Sequence, residues 1–209
     1  MRIFLDAGHG GRNAGVKRGS LIEKDYTLKM VGDIKKALSH LYGNVHSSRS
    51  EDDYLMLSER FDKCAQHGAD VCVCIHVNAA HDQSLSGLMC FHVSHEGAVL
   101  GDEIMRSAPS MLRRKKQKSI LASKGDWTNR AYNCISGYDC PSVLVECFFA
   151  TNEKDFEFGQ SRIGRRGIVS SIVNGISNYE SNLFERGFLK VKSDLLYDCS
   201  LEYGGSIRG

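Results

Sequence analysis

Proline is scarce, with two in 209 residues, and the chain has no low-complexity tract and no repeat of convincing period. These absences exclude proline-rich linkers and stacked repeat architectures. A surplus of one charge is also missing: 27 basic residues face 25 acidic ones, a net +2, so no overall field directs the chain to nucleic acid. No apolar run is long enough to suggest membrane insertion. The opening Met1-Arg2-Ile3-Phe4-Leu5-Asp6 is an apolar run cut short by a charge, so neither a signal peptide nor a membrane span is expected there, and synthesis in the cytoplasm is. In that setting the eight cysteines read as free, mostly buried thiols, since a free cysteine packs as a small hydrophobe.

What is present suits one layered domain. Hydrophobic residues make up 42% of the chain and charged ones 25%. Residues 2–6 read as a buried strand feeding the glycine-rich loop Asp6-Ala7-Gly8-His9-Gly10-Gly11, which puts His9 at a strand end. From Glu23 to Leu41 the residues Leu28, Val31, Ile34, Leu38 and Leu41 recur at helical spacing, with Glu23 at or just before the first turn. A strand near Val45 follows, then a helix through Leu57, Phe61 and Cys64 that ends at His67-Gly68. Residues 70–77 are almost all apolar or cysteine, the pattern of a central parallel strand covered on both faces, and His76 falls near its C-terminal end. Further strands are expected at 88–93 and 142–149, with helices at 98–112 and around Ile168, Val169, Ile172, Val173 and Ile176.

Alternating strands and helices predict an α/β fold: a mainly parallel twisted sheet covered by helices on both faces, in a single layered domain. Ligand sites in such sheets gather at strand C-terminal ends, where His9, His76 and Glu146 all lie. The domain is expected to span 1–178, leaving 179–209 as a C-terminal tail without a clear period.

A zinc hydrolase takes three protein ligands from histidine and carboxylate and keeps a position for water. His9, Glu23 and His76 could supply such a set, yet their spacing forms no local motif, and chemistry alone does not pick them out of eight histidines and 25 acids. The segment DAGHGGRNAGVKRGSLIEKDYTLKMVGDIKKAL, followed in order by LSERFDKCAQHGAD, VCIHVNAA, Gly87 before a strand, and PSVLVECFFATNEKD, is what narrows the choice. Together these pieces resemble the zinc-dependent N-acetylmuramoyl-L-alanine amidases, the family of bacterial autolysins and phage endolysins, over about residues 1–178.

The resemblance implies that His9, Glu23 and His76 hold Zn2+, that Glu146 is the catalytic acid and base, and that Asn78 hydrogen-bonds substrate. It also implies hydrolysis of the amide between N-acetylmuramic acid and L-alanine in bacterial peptidoglycan. Residues 113–139, including Arg113-Arg114-Lys115-Lys116, match the family pattern only loosely, and Cys147 stands where a small or apolar residue is more usual. The basic run reads as a solvated face. Cys72 and Cys74 read as core rather than as partners of His76 in a sulfur-rich metal set, Arg49 and Arg60 as structural ion-pair partners, and His92 and His95 as surface or cleft-lining positions. Two other readings stand beside the amidase: a zinc peptidase cutting within the stem peptide, and an inactive wall-binding or regulatory scaffold, against which the retention of all four site residues speaks. The expected setting is a phage-type lysin that reaches the wall after release, with no nucleic-acid partner, no membrane insertion and an oligomeric state left open.

Overall fold

The first strand, β1 (Ile3–Ala7), is buried along its whole length, because it lies inside a sheet with a helical layer on each face. In the structure, a computed structural model describing residues 1–113 and 118–185, the chain continues through a short hairpin, β2 (Lys17–Arg18) and β3 (Leu21–Ile22), into α1 (Glu23–Ser39) and β4 (Val45–Ser47). Then come α2 (Leu57–His67), β5 (Val71–Asn78), β6 (Met89–His92), α3 (His95–Arg106), β7 (Ile120–Leu121) and α4 (Asn129–Ile135). The last elements are β8 (Ser142–Phe149), α5 (Glu153–Gln160) and α6 (Arg162–Glu185).

The six-stranded sheet has the order β4-β1-β5-β8-β6-β7. Its first four strands are parallel, β6 runs antiparallel to β8, and β7 runs parallel to β6. Side chains alternate between faces along each strand. Ile3, Leu5, Val73, Ile75, Val143 and Val145 therefore share one core with Ile34 and Leu38 of α1, Leu100 and Ile104 of α3, and Ile172 and Ile176 of α6. Phe4, Cys72, Cys74, Leu144, Met89 and Phe91 turn to the other face and pack with Cys64 of α2 and Ala131 and Ile135 of α4. The expected parallel-rich sheet with helices on both faces is thus the observed architecture. Among the described residues no helix is long and apolar enough to cross a membrane.

Several boundaries differ from the sequence reading for local reasons. The helix expected at 98–112 begins at His95, because the Ser94 hydroxyl caps it by accepting the Gly97 N–H at 3.0 Å, and it stops at Arg106, shortly before Pro109. The helix through Leu57 ends as expected at Gly68, which takes the left-handed conformation at φ 63. The hairpin, α4 and α5 were not anticipated. The final helix runs on to Glu185 and buries Tyr179 to 2% exposure, so the structure continues past residue 178. Of the expected tail, residues 186–209 lie outside the described residues, as do 114–117 of the basic run. The seven described cysteines are free, five of them buried.

Candidate metal centre and active-site cleft

The C-terminal ends of β1 and β5 deliver two histidines, and the start of α1 delivers a carboxylate between them. His9 leaves β1 through Gly8 and adopts φ 62, a left-handed backbone that costs a non-glycine residue energy and must be held by its surroundings. Two buried arginines and one threonine hold it. Arg60 of α2 donates to Asp6 Oδ1 at 2.6 Å, to the Ala7 carbonyl at 2.7 Å and to the His9 carbonyl at 2.6 Å. Arg49 donates to the carbonyls of Ala7, Gly8 and Lys24, and the Thr27 hydroxyl donates to the Gly8 carbonyl at 2.7 Å. Arg60 is thus the structural ion-pair partner expected from the sequence, whereas Arg49 spends its hydrogen bonds on backbone carbonyls and the Thr27 hydroxyl.

Glu23, the first residue of α1, is 2% exposed and lies between the imidazoles. Its Oε2 faces His9 Nε2 at 3.1 Å and accepts the Val16 N–H at 2.8 Å. Its Oε1 faces His76 Nδ1 at 3.2 Å and accepts the Val77 N–H at 2.8 Å. Burial alone would raise the Glu23 pKa, but the hydrogen bonds and charges of His76 and His9 outweigh it and hold the carboxyl well below the usual range. Burial likewise opposes a charge on His9, and the hydrogen bond and charge of Glu23 overcome it, so the His9 pKa is raised. The Asn13 Oδ1, 3.0 Å from His9 Nδ1, pairs with the N–H on that side and leaves Nε2 directed at Glu23.

These side chains offer three donor atoms within 4.8 Å of one another, the only such cluster among the described residues. Two imidazoles and one carboxylate converging at this spacing fit a single cation, and zinc is the ion whose hydrolytic sites use that donor set. Space around the donors is tightly used. A Cβ on Gly8 would stand 2.4 Å from His76 Cε1, and one on Gly15, at φ 65, would stand 2.4 Å from Glu23 Oε2.

Glu146 pairs with His76 in the parallel β5–β8 ladder, so the two side chains leave the same face of neighbouring strands, about 4.8 Å apart in backbone position. The ladder slips immediately afterwards: His76 opposes Glu146 but Asn78 opposes Phe149. The extra residue turns both Cys147 and Phe148 into the α1 and α6 core and keeps Phe149 on the Glu146 face, the re-aiming a bulge beside a site provides. Glu146 Oε2 is sealed from solvent with no hydrogen-bond partner among the described residues. Burial, and secondarily the charge of Glu23, push its carboxyl up to about 8.

A cleft of about 1050 Å³ opens over this face and takes in His9, Glu23, His76, Asn78 and Glu146. The Asn78 amide lies 3.9 Å from Met89 Sδ. All five residues singled out from the sequence are therefore brought together. His92 is not: it is buried in β6, with Nδ1 3.0 Å from the Ser94 carbonyl. Cys72 and Cys74 pack in the core behind His76, as expected. The sequence reading missed Asn13 and the Val16 and Val77 amides, which orient the cluster, and the far wall formed by Trp127, Arg130 and Asn133. Backbone donors carry no sequence signal; Asn13, four residues after His9 in a glycine-rich loop, was the one that could have been noticed.

Residues 3–178 match the protein family described as N-acetylmuramoyl-L-alanine amidase. The chain is 30% identical over 177 residues to YqiI of Bacillus subtilis (strain 168), an alignment covering 85% of this chain and 84% of YqiI. It is 26% identical over 183 residues to the probable cell wall amidase LytH of Staphylococcus epidermidis (strain ATCC 35984), covering 86% of this chain but 58% of LytH's length. Among solved structures, the catalytic domain of CwlV, an N-acetylmuramoyl-L-alanine amidase from Bacillus (Paenibacillus) polymyxa var. colistinus, superposes with a TM-score of 0.75 at 21% identity, over 87% of this chain and 99% of that one. That likeness concerns the fold.

Proposed function

The chain belongs to the N-acetylmuramoyl-L-alanine amidase family, and from that premise we propose that it hydrolyses the amide joining the lactyl group of N-acetylmuramic acid to L-alanine in bacterial peptidoglycan, with Zn2+ held by His9, Glu23 and His76. The observation that carries the reading is the three-donor cluster beside a half-buried Glu146, whose Oε2 is sealed and unpartnered among the described residues, at the head of an open cleft. Zinc bound there would supply Lewis acidity to the scissile carbonyl and to water, the two partners of an otherwise slow reaction.

The chain's own residues do the rest. Glu146, neighbour of His76 in the ladder, takes a proton from the attacking water at its carboxylate and returns it to the departing alanine amine. A carboxyl that burial pushes up and a bound dication would draw back down suits both transfers, since it gives and takes a proton at similar cost. Asn78 lines the same cleft and hydrogen-bonds substrate there. The His9 loop stays in register through Arg49, Arg60 and Thr27, so that donor positions are set before substrate arrives.

Digestion of purified peptidoglycan followed by mass spectrometry tests the reading. A new N-terminal alanine with an intact lactyl carboxylate is the expected product; a new amine elsewhere in the stem would make the chain a peptidase, and no product would make it an inactive scaffold. The phage-type lysin setting is part of the same proposal. Cells producing the protein in the cytoplasm are expected to lyse only once their membrane is permeabilised, and lysis without permeabilisation would remove that setting.

A further inference from the structure

The cleft extends well beyond the reacting groups. From the β5 position of His76 it crosses β8 and β6 to Ile120 on β7, three strand steps or about 14 Å, room for about four extended residues. Its floor is apolar, made by Met89, Phe91, Leu144 and Ile120. Its far wall comes from α4 and the turn before it. Within α4, Asn133 and Cys134 follow Arg130 by three and four residues and so share its side, with Trp127 of the preceding turn also on the cleft wall, while Ala131 and Ile135 pack in the core.

Charge is unevenly placed in this cleft. The carboxylates that line it, Glu23 and Glu146, both stand at the metal-binding end, and among the described residues Arg130 is the one lysine or arginine on the lining. No carboxylate among the described residues pairs with the Arg130 guanidinium, whereas buried Arg60 is fully engaged. A guanidinium stays ionised at any working pH, and its paired N–H groups match a carboxylate. Over an apolar floor, that exposed cation without a carboxylate partner favours an anionic group on whatever lies along the cleft.

Resting on the amidase reading above, we propose that Arg130 recognises a carboxylate of the stem peptide on the leaving-amine side of the scissile bond, the free α-carboxylate of the glutamic acid that follows L-alanine. The stem glutamate is joined onward through its side chain, which leaves that carboxylate free unless the wall amidates it. Arg130 then makes the enzyme discriminate between walls with free and with amidated glutamate.

The test uses zinc-loaded enzyme, soluble muramoyl peptides whose glutamate carries either the free acid or the amide, and purified peptidoglycan as a control. Wild type is expected to favour the free acid in kcat/KM by about tenfold or more, mainly through KM, as for a charge-assisted hydrogen bond. Arg130→Gln should cleave both peptides at the wild-type rate for the amidated one, and Arg130→Lys should restore part of the preference. The fluorescence of Trp127, the chain's one tryptophan, verifies that each variant keeps its fold around α4. Equal wild-type rates on the two peptides, or a preference that survives in Arg130→Gln, would overturn the assignment. A preference that follows a carboxylate on the third stem residue instead would also overturn it. Failure to release alanine amine from either peptide and from purified peptidoglycan would instead overturn the amidase reading on which the proposal rests.

Discussion

Glu146 is asked to do what a solvated carboxylate does poorly, and its surroundings explain how it manages. Replacing it by Gln keeps shape and removes the titrating proton, so zinc content and fold should persist while amine release falls by about 10²- to 10⁴-fold. A well-folded, zinc-loaded Gln variant of near wild-type rate would remove Glu146 from the mechanism. The raised pKa has a second consequence in chelator-stripped protein. A carboxyl at about 8 when folded and near 4.5 when unfolded adds stability that is fully present below pH 4.5 and is lost as pH rises through 8. Glu146→Gln should therefore melt higher than wild type at pH 9 and by much less at pH 5, both without metal. Equal melting at both pH values would show that Glu146 carries no such penalty. A bound dication acts in the opposite direction on this carboxyl, so the pH dependence should weaken on zinc loading.

Residues of this kind were unequally legible from the sequence. His9 and His76 stood at the ends of apolar runs, where α/β sheets place ligands, so periodicity alone put them near a site. Glu23 did not stand out, because an acid in a first helical turn looks like an ordinary dipole partner; only the family resemblance singled it out. Arg130 sits in the stretch that matched the family loosely, and nothing in one sequence marks a cation that faces a cleft.

At the scale of elements, the site depends on how closely the β1 loop, α1 and β5 approach one another. Gly8 is where this can be tested without backbone strain, since its φ is not positive and only the contact with the His76 ring forbids a side chain. Gly8→Ala should displace that ring and weaken zinc binding by about 10- to 100-fold, the usual cost of disturbing what orients a ligand. Chelator competition measures it, and unchanged affinity would mean that the ring has room to move. The buried Arg60–Asp6 pair ties α2 to the same loop; Arg60→Ala leaves Asp6 uncompensated and should cost about 3–5 kcal/mol in denaturant unfolding. A loss below about 1 kcal/mol, the surface-pair range, would contradict its structural role. Elements with a two-sided apolar pattern, β5 and β8 above all, were readable from composition alone. Helix α4 was not, because seven residues that bury Ala131 and Ile135 leave too short a period to recognise.

For the whole molecule, the question is where the active unit ends. The sequence pattern suggested 178, yet α6 continues to Glu185, Tyr179 is buried, and Tyr42 donates its hydroxyl to Glu180 Oε2 at 2.9 Å. We propose that a chain ending at Glu185 keeps full amidase activity, whereas one ending at Asn178 loses about 3 kcal/mol or more of stability with the Tyr179 side chain. Equal melting of the two would mean that the last turns of α6 add nothing. The measurement that bears most directly on the whole account is zinc titration into chelator-stripped wild type, His9→Ala and His76→Ala, with alanine amine release from peptidoglycan followed in the same samples. Wild type should regain activity in proportion to zinc and level off at about one ion per chain, as one three-ligand catalytic site requires, while both variants stay metal-poor and inactive. Amine release that persists in stripped wild type, or full zinc occupancy and activity in either variant, would contradict it.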